Sequence, residues 1–314
     1  MKVLVTGGLG HIGSRLIREL PRFFDRPEII IIDNLSTQRY VSLFNLPGEA
    51  RYQFVEGDVT SLDLEDMLED ADAVVHLAAL TDPGASFDHP EAMEQVNFAA
   101  TKRVAETCAL VGVPLVHASS TSIYGTEKSA IDEDCGPEDI APQSPYADSK
   151  RREELLIEQM CRDGSLQAMT FRFGTIFGTS PGMRFHTAVN KFCWQAVMGR
   201  PLTVWRTAYD QRRPYLDLGD AVRAVAFVIE RRMFDGRVYN AVTVNSTVRE
   251  VTDTIRRHLP GLTISFVDSH VMNSLSYDVL NSRLTAAGFE MRSSMDRGVA
   301  DTLQLLMHAN SRDS

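Results

Sequence analysis

Cysteine is scarce in this 314-residue chain: Cys108, Cys135, Cys161 and Cys193 are scattered, with no Cys-x-x-Cys spacing. That excludes a disulfide framework and a thiolate zinc site as organising elements. Cys108, Cys161 and Cys193 fall in helical patterns and read as core thiols. His76, His89, His117 and His186 show no metal-ligand spacing, so no metal is expected. No apolar run approaches the ~20 residues needed to span a bilayer. The stretch Met1–Gly8 runs from a short apolar segment straight into glycines, which reads as a first β-strand, not a signal peptide, and cytoplasmic residence is the expectation. A long basic run is also missing, and the net charge is −10. Nucleic acid and anionic membrane are therefore excluded as main partners, although an anionic ligand needs only a local basic pocket. There is no internal repeat and no low-complexity linker. The length calls for one large α/β unit or two closely joined lobes.

What is present is an alternation of short β-branched runs with helical patterns. The predicted strands are Lys2–Thr6, Glu28–Asp33, Tyr52–Glu56, Ala73–His76, Pro114–Ala118 and Met169–Phe173. Helical stretches lie near His11–Leu20, Leu62–Leu68, Glu91–Val111 and Pro145–Arg162. Strands alternating with helices imply βαβ units and an α/β, doubly wound parallel sheet. After Phe173 the rhythm breaks into a Gly/Ser/Thr/Pro-rich loop, Gly174–Arg184. A helix near His186–Met198, a strand near Leu202–Trp205 and helices near Ala221–Arg231, Val248–His258 and Val299–His308 follow. The expected division is a dinucleotide-binding domain over 1–173 plus about 212–242, and a smaller C-terminal lobe over 174–211 plus 243–314. Ligands of such folds bind at the carboxyl ends of the strands, at the switch point, and the lobe would close that crevice.

Gly7-Gly8-Leu9-Gly10-His11-Ile12-Gly13 follows the first strand and opens a helix. Glycines let the backbone turn sharply and approach a pyrophosphate, and the helix N-terminus offers N–H donors and a positive dipole end. A glycine-rich turn without a ligand would read the same way. The second strand, however, ends in Asp33, 20 residues beyond Gly13, where a dinucleotide site places a carboxylate on the adenosine ribose. A carboxylate there repels a 2′-phosphate and favours NAD over NADP, a preference that nearby Arg39 weakens slightly.

Tyr146 and Lys150, in Ser144-Pro145-Tyr146-Ala147-Asp148-Ser149-Lys150, stand four apart, so a helix puts both on one face. A free tyrosine, with a pKa of about 10, is a poor base at neutral pH. An adjacent ammonium favours the phenolate, and such a pair can take a proton from a sugar or alcohol hydroxyl. The spacing alone also arises by chance.

Taken in order, the motifs Thr6–Gly13, Asp33-Asn34-Leu35, Gly57-Asp58-Val59, His76-Leu77-Ala78-Ala79, Ser119–Gly125, Tyr146-x-x-x-Lys150, Arg172–Gly178 and Arg213-Pro214-Tyr215 carry a resemblance. The chain resembles the extended short-chain dehydrogenase/reductase family. More narrowly it is similar to the NAD-dependent nucleotide-sugar epimerases and dehydratases of the UDP-galactose 4-epimerase-like group, over nearly all its length. The resemblance implies a Rossmann-type sheet, bound NAD, a nucleotide-diphosphate sugar as substrate and a homodimer built on the helices near Glu91–Val111 and Pro145–Arg162. By the same resemblance, Gly7, Gly10, His11, Ile12, Gly13, Asp33 and Asn34 bind the cofactor, with Asp58 and Val59 at the adenine and Leu77, Ala78 and Ala79 packed on it. Ser120, Tyr146 and Lys150 are the implied catalytic set, with Tyr146 and Lys150 also at the cofactor and Lys150 on the nicotinamide ribose. Thr81, Ser120, Thr121, Thr175, Arg184, Asn190 and Arg213 are the implied substrate contacts. Oxidising a sugar carbinol needs a base for the O–H proton, a hydride acceptor and a donor for the developing oxyanion; Tyr146, NAD and Ser120 would supply them.

Departures narrow the chemistry. The family's 4,6-dehydratases carry an Asp-Glu pair after the catalytic Ser or Thr; here Thr121 and Ser122 stand there, and neither is an adequate acid. Where its 3,5-epimerase/reductases use Cys, this chain has Ser122. Thr175 replaces a common Asn. The region Ser269–Tyr277 lacks an arginine expected to pair with the diphosphate, and Arg184 or Arg206 is the expected substitute. Ser276 falls near a position whose bulk limits the sugar pocket. The reading is a 4-epimerase working through a 4-keto sugar. A decarboxylase, a keto-sugar reductase or an atypical dehydratase stays open, as does a non-catalytic NAD-sensing scaffold.

Overall fold

The computed structural model describes residues 1–81, 90–268 and 275–309. Fourteen strands and nine helices occur among the described residues. In chain order they begin β1 (Lys2–Thr6), α1 (His11–Glu19), β2 (Glu28–Asp33), β3 (Arg51–Glu56), α2 (Glu65–Leu68), β4 (Ala73–His76), α3 (Pro90–Val111), β5 (Leu115–Ser120), β6 (Ala130–Ile131), α4 (Pro145–Arg162) and β7 (Ala168–Phe173). The second part holds β8 (Thr175–Phe177), α5 (Ala188–Val197), β9 (Leu202–Trp205), β10 (Arg212–Asp217), α6 (Leu218–Arg231), β11 (Val238–Ala241) and β12 (Val244–Thr247). It ends with α7 (Val248–His258), β13 (Ile264–Val267), β14 (Asp278–Val279), α8 (Ser282–Ala286) and α9 (Met295–Leu306).

The large sheet has seven strands in the order β11-β7-β5-β4-β1-β2-β3, all parallel. A parallel sheet is covered on both faces, which is why β2 reads as four consecutive isoleucines. The period-2 pleat sends them to opposite sides. Ile29 and Ile31 join Val3 and Val5 against Leu16 and Ile17 of α1 and Val222 and Val225 of α6. Ile30 and Ile32 join Leu4 and Val74 against Val104 and Cys108 of α3 and Ile157 of α4. The six strands predicted for the first half all lie in this sheet. The seventh, β11, was not foreseen, because Val238–Ala241 is only four residues long and follows a turn.

Residues 212–217, expected to go with the dinucleotide domain, pair instead with β8 and β12 in a separate three-stranded sheet. The small lobe has its own core, in which Phe192 of α5, Val251 and Ile255 of α7 and Val299 and Leu303 of α9 meet Phe177. Strand order reverses direction between β1 and β4. The loops leaving those two strands part there and leave a crevice.

Candidate functional site: a dinucleotide crevice and a tyrosine–lysine pair

The crevice is shaped by close backbone approach. A Cβ on Gly7 would lie 2.6 Å from the Ala78 nitrogen, and Gly7 has φ +64°, so the first loop and the loop after β4 fit only because glycine stands there. A Cβ on Gly13 would meet the Gly7 carbonyl at 2.5 Å, which fixes the start of α1 beneath the loop. The resulting cavity is walled by Gly7, Gly10, His11, Ile12 and Gly13 on one side, and by Asp33 and Asn34 at the end of β2. Asp58 and Val59 after β3, and Leu77, Ala78 and Ala79 after β4, complete it. Twelve of the fourteen residues expected to hold a dinucleotide thus line one cavity; the other two, Tyr146 and Lys150, are not among its lining residues. Thr81 and Arg184 line it too.

Asp33 accepts the Leu9 N–H on one carboxylate oxygen and the Leu35 N–H on the other, both at 3.0 Å, so it braces the glycine loop as well as facing the cavity. Asn34 donates to Asp58 at 3.1 Å. Hydrogen bonds from Thr60 hold the Asp58 carboxyl below the usual range. His11 is buried, with Nδ1 3.0 Å from the Ser180 hydroxyl. Burial, then the charges of Arg184, Arg39, His186 and Arg15, push its imidazole down to about 3, so it is neutral. Its Nε2 has no hydrogen-bond partner among the described residues. A buried ring nitrogen without a partner, beside a helix N-terminus and several cations, suits an anionic ligand. The cradle closed by Gly7, the acid at the end of β2 and this nitrogen together fit a dinucleotide. Ser36, Thr37 and Arg39 also line the cavity. Only Arg39 had been noticed in sequence; the others follow β2 in a loop with no motif of their own.

The second part of the site lies on α4. Ser144 caps this helix by accepting the Ala147 N–H, and Pro145 occupies its first turn. Tyr146 and Lys150 therefore sit one turn apart, as the spacing predicts. Ser120, at the end of β5, accepts the Ser122 N–H at 3.1 Å and hydrogen-bonds the Tyr146 phenol. Burial pushes that phenol above its ordinary value, and the charges of Lys150 and Arg184 pull it back only in part. Lys150 was expected to favour the phenolate and to bind a ribose. Its charge does pull the phenol down, and its ammonium also donates to Glu153, with Nζ 2.8 Å from Oε2. Glu153 was not singled out in sequence, although it stands three residues beyond Lys150 on the same helix face.

The expected substrate contacts are dispersed. Arg184 reaches from the loop before α5 to the Thr81 hydroxyl, so these two meet at the cavity. The Thr121 hydroxyl points back into the sheet, donating to the Phe173 carbonyl at 3.3 Å. Thr175 is exposed on β8 and opposite Tyr215. Arg213 donates to the Leu275 carbonyl and to the Gln211 side chain, both at 2.6 Å. Asn190, expected to touch substrate, is fully buried and spends both amide atoms on backbone: Oδ1 accepts the Gly178 N–H at 3.1 Å and Nδ2 donates to the Arg184 carbonyl at 3.1 Å. It thereby holds the loop that carries Arg184. Of the two candidate substitutes for a missing arginine, Arg184 lines the cavity, whereas Arg206 is exposed and stacked over Phe266. Residues 269–274, where that arginine was sought, lie outside the described residues. Ser276 accepts the Arg212 N–H at 2.9 Å.

Similarity to known proteins agrees with this geometry. The chain is 29% identical over 250 residues to an uncharacterized UDP-glucose epimerase, YtcB, of Bacillus subtilis (strain 168), covering 76% of each. It is 28% identical over 321 residues to a trifunctional UDP-glucose 4,6-dehydratase/UDP-4-keto-6-deoxy-D-glucose 3,5-epimerase/UDP-4-keto-L-rhamnose-reductase of Arabidopsis thaliana. That match covers 96% of this chain but 46% of the plant protein, so the chain spans about half the length of that relative. The solved structure of MoeE5 in complex with UDP-glucose and NAD superposes with a TM-score of 0.83 at 27% identity, covering 98% of this chain and 99% of that one. The NAD dependent epimerase/dehydratase family model matches residues 3–241, and the chain belongs to this family of NAD-dependent enzymes.

Proposed function

We propose that the protein is a nucleotide-sugar 4-epimerase that oxidises C4 of the sugar, lets the 4-keto sugar turn over in the pocket, and reduces it from the other face. The observation that carries this reading is the set Ser120–Tyr146–Lys150, beside which, among the described residues, the buried carboxylates on α4 are already paired. Thr121 and Ser122 follow Ser120, and the Thr121 hydroxyl is turned into the sheet. The carboxylates of α4 on this side, Glu153 and Glu154, are bonded to Lys150 and His117 and to Arg172 respectively. Elimination of water across two carbons needs a separate acid and base; reversible redox at one carbon needs only a proton acceptor and an oxyanion donor.

Tyr146 accepts the proton of the C4 hydroxyl, and Ser120 donates a hydrogen bond to the developing oxyanion. NAD, when bound, would supply the hydride acceptor and the hydride donor for the return step. Gly7 to Gly13 and His11 would hold its pyrophosphate, and Asp33 its adenosine ribose. Arg184, seated between Thr81 and the site and held by Asn190, carries the positive charge that meets the substrate diphosphate, with Arg213 further along the lobe. Residues 174–211 and 243–314 then serve as the substrate lobe. The names of the relatives, which include a UDP-glucose epimerase and a structure holding UDP-glucose and NAD, support a nucleotide sugar as the substrate class.

The test is incubation with UDP-, GDP-, CDP- and dTDP-sugars followed by proton NMR. A 4-epimerised product with no net consumption of nicotinamide is the expected result. Loss of water with solvent exchange at C5 would replace the reading with a dehydratase, release of carbon dioxide with a decarboxylase, and stoichiometric oxidation of NADPH with a reductase.

A further inference from the structure

The ammonium of Lys150 is not the end of the proton-transfer centre. Behind it lies a closed set of polar side chains in the core. Glu153 is fully buried and Lys150 is 4% exposed. Glu153 Oε2 takes Lys150 Nζ at 2.8 Å, His117 Nε2 of β5 at 2.9 Å and the Thr101 hydroxyl of α3 at 2.9 Å. Its Oε1 accepts from the Ser149 hydroxyl at 3.2 Å. Burial pushes His76 down to about 3 and also lowers His117, so both rings are neutral.

Neutrality fixes the direction of every bond. Thr101 gives its proton to Glu153, so it accepts from His76 Nε2 at 3.1 Å. His76 Nδ1 then accepts from the Thr6 hydroxyl at 2.7 Å. The Thr6 oxygen takes the N–H groups of Leu77 and Ala78, each at 3.2 Å. A chain of donors thus starts in the loop that walls the cofactor cavity and ends on the Glu153 carboxylate. Four donors on one carboxylate keep it ionised, and Lys150 balances its charge.

We infer that Glu153 is a positioning residue of the Tyr146 centre: it fixes the Lys150 ammonium from behind and cancels part of its field, so that Tyr146 keeps its proton to higher pH than Lys150 alone would permit. This rests on the reading of Tyr146 as the base. The groups facing the pair come from several elements: Glu153 and Glu154 of α4, His76 of β4, His117 of β5, and Arg184 of the loop before α5, with Arg172 of β7 bound to Glu154. Lys150 and Arg184 favour the phenolate; Glu153 alone among these is a carboxylate whose oxygen touches the ammonium. Glu154 is spent on Arg172 at 2.8–2.9 Å.

The experiment needs no substrate. Tyrosine labelled with carbon-13 at Cζ is titrated by NMR in the full chain, and the Tyr146 resonance is assigned by its loss in Tyr146→Phe. In Glu153→Gln, which keeps the shape and an acceptor oxygen, Tyr146 should release its proton about tenfold more readily, a midpoint about one pH unit lower. Glu153→Asp should fall between the two. An unchanged or higher midpoint in Glu153→Gln overturns the inference. If the wild type shows no tyrosinate before it unfolds in alkali, the variant must show it inside that window, and its absence there overturns the inference equally. Should Glu153→Gln not fold, the same downward shift is read in Glu153→Asp, and no shift there is the refuting result. Turnover of Tyr146→Phe tests the base assignment separately, so the two can fail independently.

Discussion

Removing the charge of Glu154 should cost the protein a large share of its stability. Glu154 and Arg172 are 1% and 5% exposed. The guanidinium grips both carboxylate oxygens, Nε to Oε1 at 2.9 Å and Nη2 to Oε2 at 2.8 Å. Its third arm donates to the Tyr124 hydroxyl at 2.8 Å, which passes a bond to Asn240. Glu154→Gln preserves the shape but leaves a buried guanidinium uncompensated, a loss of about 3–5 kcal/mol. With a urea m-value of about 3 kcal/mol/M, the midpoint should fall by about 1–1.7 M, read by circular dichroism. The pH dependence is a second check. Burial raises the Glu154 carboxyl, and the charge and hydrogen bonds of Arg172, with Ser119 and Arg151, together reverse this, so its folded pKa lies below the usual range. A carboxylate lowered on folding contributes stability fully present above its unfolded pKa, about 4.3, and lost as pH falls through the folded value. The gap between wild type and variant should therefore be constant near neutrality and narrow below about pH 4. A midpoint shift under about 0.3 M, or an identical gap at pH 7 and pH 3.5, would refute the reasoning.

Gly7→Ala should be costly for cofactor binding. The positive φ costs about 1–2 kcal/mol, and a Cβ 2.6 Å from backbone adds about 1–3 kcal/mol of overpacking. NAD affinity measured by calorimetry should drop at least about tenfold, whereas Gly48→Ala, with nothing within 4 Å of its added carbon, should be neutral. Tyr146→Phe should lower turnover by about 100- to 10,000-fold while NAD stays bound; near-normal turnover would remove Tyr146 from the mechanism. Leu155 on α4 and Leu110 on α3 are exposed, at 47% and 69%, on the helices expected to pair two copies. Leu155→Glu should convert a dimer into a monomer by light scattering, and a wild type that already scatters as a monomer would sink that expectation.

The parts of the site readable in sequence are those built from one short segment. Gly7 to Gly13, Asp33 at the end of β2, and Tyr146 with Lys150 each depend on local spacing, and a strand-turn-helix or a single helical turn converts that spacing directly into geometry. Asn190 shows the limit. Its place in the motif order matched a substrate contact, yet a buried amide must satisfy its own donors and acceptor, and the Gly178–Arg184 loop packed against it offers backbone partners that sequence does not display. The strand at 212–217 shows another: its apolar pattern is compatible with either sheet, and only pairing with β8 and β12 decides between them.

By itself, then, the sequence determined the doubly wound sheet, through runs such as Ile29–Ile32, and the placement of the glycine loop, the acid at the end of β2 and the tyrosine–lysine pair. Tertiary structure decided what those groups experience. His76, Thr101, His117 and Glu153 come from four different elements, and packing α3 and α4 on one face of the sheet brings them within hydrogen-bond distance. Away from water such neighbours act strongly on one another. Helical spacing places Glu153 beside Lys150, but the Thr101 and His117 donors that surround Glu153 come from elsewhere in the chain, and no spacing rule announces them.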